Sequence, residues 1–170
     1  MDALENLLTR KSVRMFSEEK VSEQDIETLL KAGMAAPSAM NKQPWTFYVV
    51  TNENKLQAYR DSSRWGKYNA TLIIVPCVKE DLTLPGIGHD LAYCDLGAAT
   101  ENILLAAHAL GLGAVWTAVY PDPDRIEAAK KAIGIKNGET PYSAIYIGHP
   151  VKEDDSQVKN KYKPENIRRV

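Results

Sequence analysis

The chain has 170 residues, 44% of them hydrophobic and 25% charged, which suffices for one globular domain with a real core and excludes wholesale disorder. Its 21 basic and 22 acidic side chains leave a net charge of -1, so no global field favours nucleic acid or an anionic membrane, and any basic site is local. The two cysteines, Cys77 and Cys94, offer neither a CxxC nor a second pair for zinc, and both are expected to be packed structural thiols in a reducing compartment.

The opening residues Met1-Asp2-Ala3-Leu4-Glu5-Asn6 carry acids where a secretory signal carries lysines and a long apolar run, so a cytoplasmic location is expected. Residues 3–8 predict a short amphipathic helix leading into Arg10-Lys11-Ser12-Val13-Arg14. That cluster offers guanidinium forks and a hydroxyl, groups that suit a phosphate monoester, although such spacing also describes a solvated basic turn. A second helix begins near Val21, with Ser22 as its cap and Asp25 three residues on, and is expected to end at Pro37. The loop Ala36-Pro37-Ser38-Ala39-Met40-Asn41-Lys42-Gln43-Pro44-Trp45 follows, rich in amides and fixed prolines. Taken alone, it reads as a helix-terminating loop whose amides satisfy its own backbone.

Residues 46–50 predict a strand, 54–59 a polar helix and 72–78 a buried strand. The longest periodic stretch, 90–110, would span about 31 Å as a helix at 1.5 Å per residue, with Gly111 placed to end it. Asp95, Glu101, Asn102 and His108 interrupt it, so a central helix packed on several sides is predicted rather than a membrane span. Residues 114–119 predict a third strand, 124–133 a helix closed by Gly134, and 142–147 a fourth strand. Helices and strands alternate irregularly, without repeats or linkers, so a single α+β domain over 1–170 is expected. The polar stretch 151–170 stands apart as a C-terminal extension.

His89, His108 and His149 are scattered, with no HExxH, so no metal site is expected. No GxSxG marks a hydrolase, and no GxGxxG follows a strand to hold a nicotinamide permanently. Nucleic-acid binding through Arg10, Arg14 and the C-terminal lysines lacks an extended basic face.

Together RKSVRMF, APSAMNKQPW and DLGAATENILLAAHALGLGAVWT resemble the nitroreductase family of flavin mononucleotide enzymes, in the family's order and from Leu7 to about Tyr162. The resemblance implies a nitroreductase-like α+β fold, with a central mixed, mostly antiparallel sheet flanked by helices, in an intertwined homodimer. It implies that Arg10, Lys11 and Ser12 hold the FMN phosphate, with Arg14 close by. The loop carrying Pro37, Ser38, Ala39, Asn41 and Gln43 would reach the flavin of the other subunit, and residues 151–170 would pack on that subunit. Val115, Trp116 and Thr117 would lie beside the ring, with a backbone N–H of Trp116 or Thr117 facing N5, although the chain lacks the Pro-x-Glu-Gly-like turn of longer members there. Lys159 and Lys161 would return to the phosphate, and Lys67 is a further cofactor candidate. The implied activity is ping-pong transfer from transiently bound NADH or NADPH to nitroaromatics or quinones. The alternative is a flavin-binding carrier or sensor with little turnover.

Overall fold

The computed structural model describes residues 1–63, 66–152 and 161–170. Five helices and five strands follow in the order α1 (Ala3–Thr9), α2 (Glu23–Met34), β1 (Trp45–Val50), α3 (Glu53–Ser62), β2 (Leu72–Lys79), α4 (Leu91–Ala109), β3 (Gly113–Ala118), α5 (Pro123–Ile133), β4 (Glu139–Pro141) and β5 (Ser143–Gly148). Local chemistry sets most of the boundaries. Ser22 Oγ accepts from the Asp25 N–H at 3.1 Å and donates to the Asp25 carboxylate at 2.7 Å, closing the start of α2. Gly134 ends α5 in the left-handed conformation, φ +80°, that a side chain disfavours.

The strands run β1-β2-β5-β3, with β4 also paired to β2. Every strand ladder is antiparallel, and the parallel element expected in a mixed sheet is confined to an isolated bridge, Ser12 to Ala114. Both faces of the sheet are buried. Ile73, Val75, Cys77, Val115 and Tyr146 pack with Leu56 and Tyr59 of α3 and Ala129 of α5. On the other face Leu72, Ile74, Ile145 and Ile147 pack with Leu29 of α2 and Ile103 and Ala107 of α4. Burial on both faces explains why β2 reads as a continuous apolar run rather than an alternating one; each such side chain contributes about 1.5–3 kcal/mol by its burial.

Two expectations are corrected, and one strand is added. The helix expected to run to Pro37 stops at Met34, because proline disfavours helical backbone at the residue before it, and a tight turn at Ala39–Asn41 follows. β4 had no signal, being three residues with a proline at its end. Cys94 is exposed on α4 rather than packed, while Cys77 is buried as expected. The polar interruptions of α4 are each bonded: Asp95 to the Ala39 N–H at 3.0 Å, Glu101 to Arg10 at 3.2 Å, Asn102 Nδ2 to the Ala32 carbonyl at 3.1 Å, and His108 to Thr9 at 2.9 Å; the buried Thr100 meets Ser143 at 3.2 Å. No helix among the described residues is long and apolar enough to cross a membrane.

Candidate functional site

A cleft of about 300 Å³ opens beyond the C-terminal end of α4, lined by Lys11, Ser12, Arg14, Gly111, Gly113 and Lys152 among others. Its basic segment is stapled in place by backbone. The Val13 N–H donates to the Ala114 carbonyl at 3.0 Å, the Ser17 N–H to the His149 carbonyl at 2.8 Å, and the Val151 N–H to the Met15 carbonyl at 3.3 Å. Gly113 and Gly148 face each other across the β3/β5 ladder. A Cβ on Gly113 would stand 2.7 Å from Val13 Cγ1, and one on Gly148 3.2 Å from Phe16. Both positions are glycine because the basic segment crosses the sheet there at close range. Three cations and a hydroxyl converge on a space open to solvent, a donor set suited to a phosphate monoester.

Arg10 departs from its neighbours. Its Nε meets Glu101 of α4 at 3.2 Å, and it does not line the cleft. Lys152 does, and the sequence carried no sign of it, since the bridge between Phe16 and Pro150 is what brings the two distant segments together. Lys161 is exposed, and Lys159 lies outside the described residues.

From this cleft β3 leads away along the open edge of the sheet. The N–H groups of a strand alternate between its two sides. The Val119 N–H donates to the Tyr142 carbonyl on the β5 side, while the Ala114 and Ala118 carbonyls bond outward, to the Val13 N–H and to Arg125 Nη1. Val115 and Thr117 therefore direct their N–H groups to β5, and Trp116 and Ala118 direct theirs to the open edge. Of the two donors expected from sequence, Trp116 is the one so aimed; Thr117 offers its backbone, and also its hydroxyl at 3.0 Å, to β5. Gly66 closes in on this edge, for a Cβ there would stand 2.8 Å from Thr117 Cγ2, and the exposed Lys67 follows it.

The loop 37–43 lies elsewhere, against the first half of α4. Its Ala39 N–H donates to both carboxylate oxygens of the buried Asp95, at 3.0 and 3.2 Å. Met40, Asn41 and Gln43 all have positive φ, from 50° to 53°, although none is glycine. The Ser38 hydroxyl accepts from the Gln43 N–H at 2.9 Å, and Gln43 Nε2 donates to Asn41 Oδ1 at 3.0 Å.

An aromatic corner joins that half of α4 to the end of β3. Trp116 lies 5.8 Å from Tyr142, which lies 6.2 Å from Tyr93, and Tyr93 stacks on Tyr120 at 3.8 Å. Burial pushes the Tyr93 hydroxyl up to about 12. His89 stands edge-on to Tyr93 and meets Glu80 at 2.8 Å, a contact that raises its pKa above the usual imidazole value. Sequence reading singled out only Trp116 of this group. Among the described residues no three histidine, cysteine, aspartate or glutamate side chains are arranged to hold a metal.

The profile of the nitroreductase family matches residues 7–71 and 63–149. A protein of Archaeoglobus fulgidus, provisionally named NADH dehydrogenase/NAD(P)H nitroreductase, is 39% identical over 171 residues, which cover 99% of this chain and 97% of that one. A crystal structure from Parabacteroides distasonis with the same provisional name superposes at a TM-score of 0.88, with 37% identity and coverage of 98% and 96%. A provisionally named nitroreductase from Desulfovibrio desulfuricans, solved in complex with FMN, superposes at 0.82 with 27% identity and coverage of 100% and 98%.

Proposed function

The chain belongs to the nitroreductase family, and from that premise we propose that it is a cytoplasmic FMN-dependent oxidoreductase, drawing on NADH or NADPH to reduce electron-poor acceptors such as nitroaromatics or quinones. The observation that carries this reading is the convergence of Lys11, Ser12, Arg14 and Lys152 on one cleft at the start of an open strand edge. These residues fit the cofactor's phosphate: Lys11, Arg14 and Lys152 neutralise its charge, and the Ser12 hydroxyl donates to one of its oxygens. Along the edge, the N–H groups of Trp116 and Ala118 are the donors available to a flat ring's polar rim. When bound, the flavin supplies the two-electron chemistry, accepting hydride from a nicotinamide and passing it to an acceptor. The chain's part is to bind, orient and leave access, which is why no nucleophile or general base is needed. Tyr120 and Tyr142, both half-exposed, offer flat apolar surface beside Trp116 for an aromatic acceptor.

The working form is a homodimer, with the chain as a single domain; of the extension 151–170 expected to pack on the second copy, residues 153–160 lie outside the described residues. The first helix supports this. α1 turns Asn6 and Thr9 toward α4, where they bond to the Leu105 carbonyl and to His108, and leaves Leu4, Leu7 and Leu8 at 70%, 54% and 53% exposure. An apolar stripe with that orientation suits a partner rather than water. Leu91 and Leu110, at the two ends of α4, and Met34, at the end of α2, are also exposed. In that dimer the loop bearing Pro37, Ser38, Ala39, Asn41 and Gln43 reaches the flavin of the other copy, so each site draws on two chains.

The test is a visible spectrum of the purified protein, chromatography of the chromophore released by heat, and anaerobic mixing with NADH and NADPH. FMN near one per chain that bleaches rapidly with either nucleotide is the expected result. A spectrum that stays oxidised for hours would point to a flavin carrier, and a colourless protein that takes up no FMN would overturn the reading.

A further inference from the structure

Asp95 is a buried carboxylate with an unusual position. It is 9% exposed, and among the described residues its hydrogen-bond donor is the Ala39 N–H, shared between both oxygens at 3.0 and 3.2 Å. Burial raises its pKa, and the bond from Ala39 opposes that rise. An ionised acid held by one neutral donor is a costly way to satisfy a single N–H, for which a neutral acceptor would serve.

What Asp95 touches explains the arrangement. Ala39 opens a turn in which Met40, Asn41 and Gln43 all occupy the left-handed region. Of these, asparagine tolerates that backbone best, while methionine and glutamine do not favour it. Such conformations persist only when their surroundings over-determine them, and they gather where a chain presents groups to a ligand. Met40 is 79% exposed, so the strained turn is not bought by burying its apolar side chain. The loop's other ties leave the start of the turn unsecured: Ser38 to Gln43 and Gln43 to Asn41 lie within it, and the Trp45 N–H of β1 holds only its far end, at the Gln43 carbonyl, 2.8 Å away; none of them fixes the turn to a helix. The bond to Asp95 does, joining the turn to the rigid helix α4.

We infer that Asp95 is the positioning residue for the loop 38–43, anchoring its strained turn to α4 so that its polar groups are held ready for the flavin. The inference rests on the FMN reading for its consequence but not for its geometry, and two measurements separate the two. Hydrogen exchange of the full chain without added flavin reads the loop directly; FMN titration reads the consequence. Asp95→Ala is expected to speed exchange at residues 39–43 and to weaken FMN binding about 10-fold, the loss of one charge-assisted hydrogen bond. Asp95→Asn keeps an acceptor for the Ala39 N–H and is expected to stay within about 2-fold of the parent in both measurements. If Asp95→Ala fails to fold, Ala39→Pro removes the same bond from the loop side and takes its place. Unchanged loop exchange in the alanine or proline variant would overturn the inference, as would an asparagine variant no better than alanine. Altered exchange with no FMN binding even by the parent would overturn the proposed function and leave the anchor standing.

Discussion

The basic cleft and the loop 38–43 are built by opposite means. At the cleft, charge does the work: Lys11, Arg14 and Lys152 converge, the backbone beneath them is ordinary, and two glycines simply let the segment lie close to the sheet. At the loop the polar groups are two amides, a hydroxyl and the lone cation Lys42, and the conformation is what is unusual, with three non-glycine residues at positive φ in a turn whose Ala39 N–H is tied to one buried acid. The first kind of site tolerates small displacements, because an ion attracts over several ångströms. The second does not, since a hydrogen bond weakens steeply once its geometry is lost. The cleft should therefore set how tightly an anionic cofactor is held, and the loop how it is oriented.

The contrast can be broken most forcefully at the cleft. Removing two cations together, Lys11→Ala with Arg14→Ala, is expected to weaken FMN binding at least about 100-fold in a fluorescence titration, at about 1.5–3 kcal/mol for each charged hydrogen bond. The thermal midpoint should hardly move, and a loss of less than about 10-fold would mean that the phosphate sits elsewhere. Next in size is Gly113→Ala, whose Cβ would meet Val13 Cγ1 at 2.7 Å. Displacing that segment is expected to cost about 1–3 kcal/mol in urea denaturation and to weaken FMN binding as well. A neutral result would show that the segment can slide without consequence.

At the loop the effects are smaller and partly of opposite sign. Met40→Gly relieves a methionine at φ 50° and is expected to stabilise the fold by up to about 1 kcal/mol, while FMN binding weakens slightly because the turn is less ordered. Destabilisation would show that the turn is not strained. The smallest effect is one of pH. Burial raises the folded-state pKa of Asp95, so its ionised form opposes folding above that value; the cost starts to shrink as pH falls through it and is gone once pH is below the ordinary carboxylate value of the unfolded chain. Asp95→Asn, which does not titrate, should thus be more stable than the parent near neutral pH, with the difference closing in acid. A constant difference across pH would place the effect outside ionisation.

The difference between the two ends also explains what could be read in advance. Arg10 to Arg14 stood out because charge and hydroxyl types are visible in sequence, and the capping of α2 by Ser22 and Asp25 was visible for the same reason. The four longer strands carried enough apolar, β-branched residues to be found within a residue or two at each end. Lys152 was missed because it joins the cleft through a bridge between residues far apart in the chain. In sequence Asp95 reads only as an interruption of a helix, since nothing in its own neighbourhood announces Ala39, 56 residues away. Sequence cannot separate Trp116 from Thr117 as the outward donor, because the alternation of N–H groups along β3 depends on its register with β5. The positive φ values at Met40 and Gln43 left no trace, because neither residue type favours that backbone. Sequence shows chemistry that resides in side chains; it does not show chemistry that resides in conformation.

The most direct test of the account is to compare FMN with riboflavin, which differs only in lacking the phosphate, by titrating both into the flavin-free protein under the same conditions. Riboflavin is expected to bind at least about 100-fold more weakly, and the double Lys11→Ala, Arg14→Ala variant, which keeps only Lys152 and Ser12 for the phosphate, is expected to narrow that gap by about 10-fold or more. Equal affinity of the unaltered protein for FMN and riboflavin would contradict the assignment of the basic cleft to the phosphate.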